Sequence, residues 1–193
     1  MSEPVRCAWV LDNPISRCYH DDEWGRITHD ERYLFEMLML EGAQAGLSWH
    51  QILSRRDAYR LAFHDFVPER VVRMHKNEIT DILNRGEIIR HRAKADAVVH
   101  NAHAFLAVQE SFAGFYNYLW SFTNGTQVQN CWENHCEIPV KTPLSIQMSK
   151  DMKKRGFLYV GPVICYAYLQ AVGVVNDHTV DCFQWGACNA RVV

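Results

Sequence analysis

The sequence has no apolar run approaching the ~20 residues that a membrane-spanning helix needs. Charges within Met1–Pro14 interrupt any signal-peptide core. A membrane anchor and export are therefore not expected, and the expected compartment is the cytosol. A disulfide framework is also missing: the 7 cysteines are odd in number and irregularly spaced, which favours reduced thiols and a metal site. There is no basic excess, since 20 Lys and Arg face 22 Asp and Glu for a formal net charge of −2. A nucleic-acid partner would have to be met by a local patch. Arg90–Arg92–Lys94 and Lys150–Lys153–Lys154–Arg155 are the candidates, each equally readable as a solvated helix face. Internal repeats and low-complexity segments are absent, and period-two alternation is scarce, which argues against solenoids and sheet-based folds.

What is present is helical periodicity over a chain of 193 residues, 48% of them hydrophobic. That suits one domain over residues 1–193 with a core of its own. A strong helix is expected from about Glu31 to Ala45, entered through Asp30, and a second from Ser48, whose pairing with Gln51 forms a capping box. The second should carry Trp49, Ile52, Leu53 and Tyr59. Pro68 fits the first turn of a short helix over Val71–Met74. Asn77 opens another helix that Gly86 stops, and a longer one covers His91–Val108. Phe112–Phe122 reads as a short buried helix and Thr123–Pro143 as a long irregular connection. Two final helices, Leu144–Lys154 and Pro162–Val172, are joined by Arg155–Gly161. The expected class is all-α.

Tyr33 through Leu40 is apolar almost all round, which places this helix centrally. Leu34, Leu38, Glu41 and Ala45 fall on one face of it, so Glu41 points where leucines point. A lone carboxylate there must find a partner or take up a proton. It is either a structural carboxylate or a pocket group awaiting a ligand with positive charge or N–H donors. A change at Glu36, off that stripe, is expected to matter much less than one at Glu41 for binding such a ligand. Gly46 should terminate the helix, leaving Leu47 to project from the turn as a staple or as a wedge between base pairs.

Cys7, His20, His178 and Cys182 form a two-Cys, two-His set split between the chain ends, with His178 and Cys182 about one helical turn apart. Spacing alone is a weak signal, and Cys131, His135 and Cys136 are a rival cluster. Four protein ligands would leave no open position, making such a zinc structural. Arg155 through Pro162 carries Gly156 and Gly161 at its ends and opens the last helix. A helix N-terminus reached through such a turn suits a phosphate, and a plain helix–helix turn would look the same.

These segments together resemble the DNA-3-methyladenine glycosylase I family. The resemblance rests on Cys7-Ala8-Trp9-Val10, on Tyr19-His20-Asp21-Asp22-Glu23-Trp24-Gly25 and on Leu40 through Trp49. It continues in Gly156-Phe157-Leu158-Tyr159-Val160-Gly161-Pro162 and runs through Gln170-Ala171 to Asn176-Asp177-His178. It spans nearly the whole chain with order and spacing kept. It implies a helix-hairpin-helix glycosylase fold, with the hairpin motif at about residues 144–173 and one structural zinc joining the ends (residues 7–20 and 178–182) through Cys7, His20, His178 and Cys182. It implies a base pocket of Trp9, Tyr19, Glu41 and Trp49 with Trp24 at its rim, Glu41 being the catalytic carboxylate. Gly46 and Leu47 match the turn that enters the duplex. The hairpin, with Arg155, Gly156, Tyr159 and Gly161, is expected to hold the DNA backbone. The implied protein is a bacterial, cytoplasmic monomer that acts on alkylated double-stranded DNA and releases 3-methyladenine. One departure stands out: Ser16 occupies a position where the family commonly has a second pocket tyrosine. The implied reaction turns the base out of the helix, and water attacks the sugar as the cationic base leaves. No lysine nucleophile is in evidence, so strand cleavage is not expected. A damage binder without turnover and a zinc hydrolase are the alternatives, opposed by Glu41 and by the filled metal set respectively.

Overall fold

The structure, a computed structural model, describes residues 3–10 and 12–188. Several of its helices begin where side chains satisfy the free N–H groups of a first turn. Asn13 accepts from Ser16 N at 2.9 Å and opens α1 (Pro14–Asp22). Asp30 caps α2 (Glu31–Gln44) through Arg32 N and Tyr33 N. Ser48 and Gln51 form the expected box at α3 (Trp49–Leu53). Five helices follow: α4 (Arg56–Ala62), α5 (Pro68–Val71), α6 (Lys76–Arg85), α7 (Arg92–Phe112) and α8 (Phe115–Ser121). Then come α9 (Pro143–Lys154), with Thr142 as its cap, and α10 (Pro162–Ala171).

All-α describes the architecture, with one small exception. The Thr123–Pro143 connection contains a two-residue strand, β1 (Val128–Gln129), that pairs in parallel with β2 (Val175–Asn176). This ladder fastens the connection to the last segment of the chain. Three expected boundaries also differ. α1 was not anticipated, the helix from Ser48 breaks at Ser54–Arg55 before Tyr59, and the long helix continues past Val108 to Phe112. Among the described residues no helix is long and apolar enough to cross a membrane.

The core is organised around α2, on which every residue from Leu34 to Ala43 is buried. α10 lies against it, with the Tyr168 hydroxyl donating to Leu34 O at 3.0 Å. α7 and α8 close the other side, where Phe35 meets Phe105 at 5.0 Å between ring centroids and Phe105 stacks on Phe115 at 4.1 Å. Glu31, at the start of α2, accepts from Phe115 N and Tyr116 N at 2.8 and 2.9 Å and so caps α8.

Glu36, off the Glu41 stripe, has a structural role that the sequence did not show. It is completely buried and accepts from Arg56 Nε at 2.6 Å and Arg60 Nε at 2.8 Å, with Arg32 Nη1 at 3.4 Å. Arg56 also pairs with Glu23 at 2.7 Å. The helix is surrounded on all sides, so a position off the Glu41 stripe is no less buried than one on it. Removing one partner of a buried ion pair leaves an uncompensated charge. Glu36→Gln is therefore expected to lower stability by about 3 kcal/mol, measured by urea denaturation. A loss within 0.5 kcal/mol would show that the arginines re-pair freely and that the network contributes little.

Candidate active site

At its C-terminal end α2 faces a cavity of about 170 Å³. Trp9 from the chain start, Tyr19 from α1, Trp24 from the loop after it, Glu41 and Gln44 from α2, and Trp49 from the first turn of α3 line it. His135 and Ile138 from the long connection and Ala167 and Gln170 from α10 complete the wall. All five residues implied as the base pocket thus line one cavity. Ser16 does not line it: it is buried on α1, one turn before Tyr19. Gln44 and the Ala167–Gln170 pair sit at helical spacings from which they were readable. His135 and Ile138 were not, because only tertiary folding brings the connection over the pocket.

Four aromatic rings surround the space. Trp9 meets Trp24 edge-on at 5.0 Å, and Tyr19 meets Trp49 at 5.3 Å and 58°. The polar atoms of three of them are idle: Trp9 Nε1, Tyr19 Oη and Trp49 Nε1 are buried without partners, as is Glu41 Oε2. Buried polar groups are normally paired, so four unpaired ones around one cavity point to a ligand that completes them. Glu41 is 3% exposed, and burial pushes its carboxyl up to about 8. Burial also holds the Tyr19 phenol well above its ordinary value, with Tyr33 and Glu41 adding to the effect. The site is a desolvated aromatic box with one acid and no fixed cation among its lining residues.

The turn beside it is held from below. Gly46 takes φ +81°, a left-handed conformation that suits glycine, and nothing lies within 4 Å of where its Cβ would be. Leu47 is half-buried against the core rather than projecting freely, because the turn folds back onto the helices it joins. Lys94 Nζ donates to Ala43 O at 2.9 Å and Ala45 O at 2.6 Å, occupying carbonyls left free at the end of α2. Arg92 is likewise engaged, by Asp96 at 2.9 Å and the Thr80 hydroxyl at 2.8 Å. Of the first basic run, these two side chains stabilise the fold and are not free for a polyanion.

The four terminal side chains converge. The ligand atoms of Cys7, His20, His178 and Cys182 all lie within 4.8 Å of one another, and all four residues are buried. Cys182 Sγ is 3.4 Å from His20 Nε2 and 3.5 Å from His178 Nδ1, and Cys7 Sγ is 3.5 Å from that same Nδ1. A tetrahedral ion with Zn–S of about 2.3 Å and Zn–N of about 2.0–2.1 Å requires S···N edges of about 3.5 Å. The remaining ring nitrogens are committed, with His20 Nδ1 donating to Asp21 at 2.8 Å and His178 Nε2 donating to Trp24 O at 3.1 Å. That leaves Nε2 of His20 and Nδ1 of His178 as the atoms facing the thiols. Gly25 permits the packing, since a Cβ there would sit 2.9 Å from His178 Nε2. Residues 178–182 are extended chain and turn rather than helix; the backbone reverses within the same span. Among the described residues Cys131, His135 and Cys136 form no comparable group, and both cysteines are exposed.

The turn between α9 and α10 is built from its backbone. Gly156 has φ +91° and Tyr159 φ +57°. Asn101 grips Leu158, accepting from its N at 2.8 Å and donating to its O at 3.0 Å. Phe157 and Val160 are buried, and Gly161 caps α10 with ordinary φ of −64°. Arg155 is exposed and partly engaged within the protein. Its Nε donates to Asp151 at 2.6 Å, and its guanidinium lies over Phe112 and Tyr118 at 4.8 and 5.2 Å. Lys150, Lys153 and Lys154 are exposed and form no ion pair among the described residues, so they carry the positive charge of this face.

Comparison with known proteins agrees with this geometry. A family model described as methyladenine glycosylase matches residues 9–185. A DNA-3-methyladenine glycosylase of Haemophilus influenzae is 43% identical over 178 residues, 92% of this chain and 96% of the relative. DNA-3-methyladenine glycosylase 1 of Escherichia coli is 44% identical over 177 residues, 92% and 95% of the two chains. The solved structure of 3-methyladenine DNA glycosylase I from Staphylococcus aureus, a study of 3-methyladenine recognition, is 34% identical. It superimposes with a TM-score of 0.90 over 97% of this chain and 98% of that one. With the match running from the first pocket tryptophan to beyond the last Cys/His position, the chain belongs to the methyladenine glycosylase family.

Proposed function

We propose that this protein excises N3-methyladenine from alkylated double-stranded DNA by hydrolysing its N-glycosidic bond, with the base turned out into the aromatic cavity. The observation that carries this reading is Glu41, a buried carboxyl whose Oε2 has no partner, facing aromatic rings whose own donors are idle. Methylation at N3 makes adenine a cation and a good leaving group. Trp and Tyr faces attract a cation through their ring quadrupoles. Glu41 accepts from the base's N–H groups and balances its charge. With its carboxyl at about 8, Glu41 is mostly protonated in the free site near neutral pH, and a cationic base favours its ionised form. Neutral adenine brings no such charge, so the site selects the lesion. No lysine lines the cavity, which supports a glycosylase without lyase activity.

In this reading α9, the turn and α10 act as a helix-hairpin-helix element on the DNA backbone, supported by Gly161 at the N-terminus of α10 and the exposed Lys150, Lys153 and Lys154. Arg155 contributes by bracing the turn through Asp151. The turn at Gly46 and Leu47 enters the duplex, held in shape by Lys94. The terminal Cys7, His20, His178 and Cys182 hold one structural zinc, supported by their tetrahedral spacing and by the second hydrogen bond on each imidazole. The ion would hold the chain ends together; with four protein ligands it has no place for substrate.

Glu41→Gln separates charge from shape. Binding of free 3-methyladenine, followed by tryptophan fluorescence, is expected to weaken at least tenfold with the fold intact. The folded-state carboxyl titrates near 8, above its unfolded value of 4.5. The native protein therefore loses stability as pH rises between those values, about 3 kcal/mol by pH 7, and the glutamine variant does not. Identical pH–stability curves for the two proteins would remove the case for a buried, unpaired Glu41.

Cys182→Ser is expected to lose its zinc and to melt at a lower temperature. Metal analysis of the purified variant decides this, and full zinc retention would make the assignment wrong.

Chromatography of bases freed from dimethyl-sulfate-treated DNA is expected to show 3-methyladenine and little 7-methylguanine. Both lesions are cations, but guanine presents an oxygen where adenine has an amine. An acceptor left unpaired against that oxygen costs about 1–3 kcal/mol, roughly tenfold or more in rate. Comparable rates for the two lesions would show a pocket that does not read this edge.

A further inference from the structure

Asp177 is 1% exposed and its carboxylate is surrounded by donors. Oδ1 accepts from Asn130 Nδ2 at 2.6 Å and from the indole Nε1 of Trp132 at 2.7 Å. Oδ2 accepts from the Tyr166 hydroxyl in a short bond and from Gln170 Nε2 at 2.6 Å. Indole N–H can only donate, and each Asp177 oxygen is already engaged as an acceptor by two neighbours. The amide of Gln170 therefore cannot turn over: its nitrogen must face Asp177. Gln170 also lines the aromatic cavity. Its oxygen, on the other side of the amide, accepts no hydrogen bond among the described residues. The other idle groups of the cavity are the donors of Trp9, Tyr19 and Trp49 and the acid of Glu41.

We propose that Gln170, locked by Asp177, presents a fixed carbonyl acceptor to the exocyclic amine of the bound purine and is a specificity-determining residue of the pocket. A free glutamine could rotate its amide and welcome either an amine or an oxygen. Asp177 removes that freedom, so an amine is matched and an oxygen meets a lone pair. Glu41 supplies charge recognition, while Gln170 reads which atom stands on the purine edge. Asn130 and Trp132 give the long connection a part in this, since they fill the Asp177 oxygen that Gln170 does not use. Asp177 is thus a positioning residue and need not touch the base.

The inference rests on the base-excision reading and is tested against free bases. 3-Methyladenine and 3-methylpurine share ring and methyl group and differ in the exocyclic amine. The native protein is expected to prefer 3-methyladenine, and Gln170→Met to narrow that preference about tenfold, from fluorescence titrations of both ligands. Asp177→Asn, which offers the glutamine either a donor or an acceptor, should narrow it too. A methionine variant that keeps the full native preference, whatever its absolute affinity, overturns the proposal. If instead the native protein binds neither purine, the base-excision reading fails first. Should both variants fold poorly, side-chain NMR of the native protein serves. On adding 3-methyladenine the Gln170 carbonyl carbon should shift while its NH2 signals stay put, and 3-methylpurine should leave the carbonyl unmoved. Release of the NH2 from Asp177 on binding, or a carbonyl that ignores the amine, overturns it equally.

Discussion

Glu41 sits unpaired inside a hydrophobic helix, and much of the structure can be understood as what keeps it there. A carboxyl buried without partners destabilises the folded state at neutral pH, as its rise to about 8 records. Evidence of a purely structural role would be a hydrogen bond or a nearby arginine, and neither reaches Oε2. Five residues earlier on the same helix, Glu36 receives three arginines. Two glutamates on one buried helix thus receive opposite treatment: one is neutralised by the fold, and the other faces the cavity without a partner.

The helix can carry this burden because its ends are held by polar groups that do not enter the pocket. Glu31 caps α8 at the N-terminal end, and Lys94 takes the free carbonyls of Ala43 and Ala45 at the other. Arg56 joins Glu36 to Glu23, so the segment that carries Tyr19 and Trp24 is tied to α2 beneath the aromatic walls. A base pocket of rings needs this rigidity. Aromatic faces attract a cation strongly only when they are already placed and desolvated, since reorganising them on binding would consume the gain.

The features legible in the sequence were those set by local chemistry. Asp30 and the Ser48–Gln51 pair mark helix starts, Gly86 marks a stop with φ +73°, and helical spacing alone put Glu41 on an inward face. The resemblance gathered Trp9, Tyr19, Trp24 and Trp49 around it. Features that depend on tertiary placement were not legible. α1 has few apolar residues and exists by virtue of the Asn13 cap, Pro14 in its first turn, and the burial of Tyr19 and His20. The ion pairs of Glu36 were not legible because its partners Arg56 and Arg60 come from another helix. A pair of two-residue strands offers no alternation to detect, and the run containing Arg155 does not announce that Asp151 and two aromatic rings engage the arginine. His135 and Ile138 reach the cavity only because that ladder fixes the path of their connection.

The same reasoning explains why the chain ends meet where they do. The last described segment leaves α10, forms β2, and passes Asp177 and His178 in adjacent positions. Asp177 fixes Gln170 in the pocket wall, and His178 donates to the carbonyl of Trp24, another wall residue, while turning its second nitrogen to the thiols. Cys7 lies two residues before Trp9, and His20 directly follows Tyr19. Three of the four cluster residues are therefore within two positions of a pocket residue or hydrogen-bonded to one, and Cys182 closes the set. The convergence of the two chain ends also sets Trp9, Tyr19 and Trp24 in the cavity wall opposite the α2 residues Glu41 and Gln44. A backbone hydrogen bond from Phe183 N to Val5 O at 3.1 Å also holds the two ends together, and an unpaired acid stays dry only while those walls do not part.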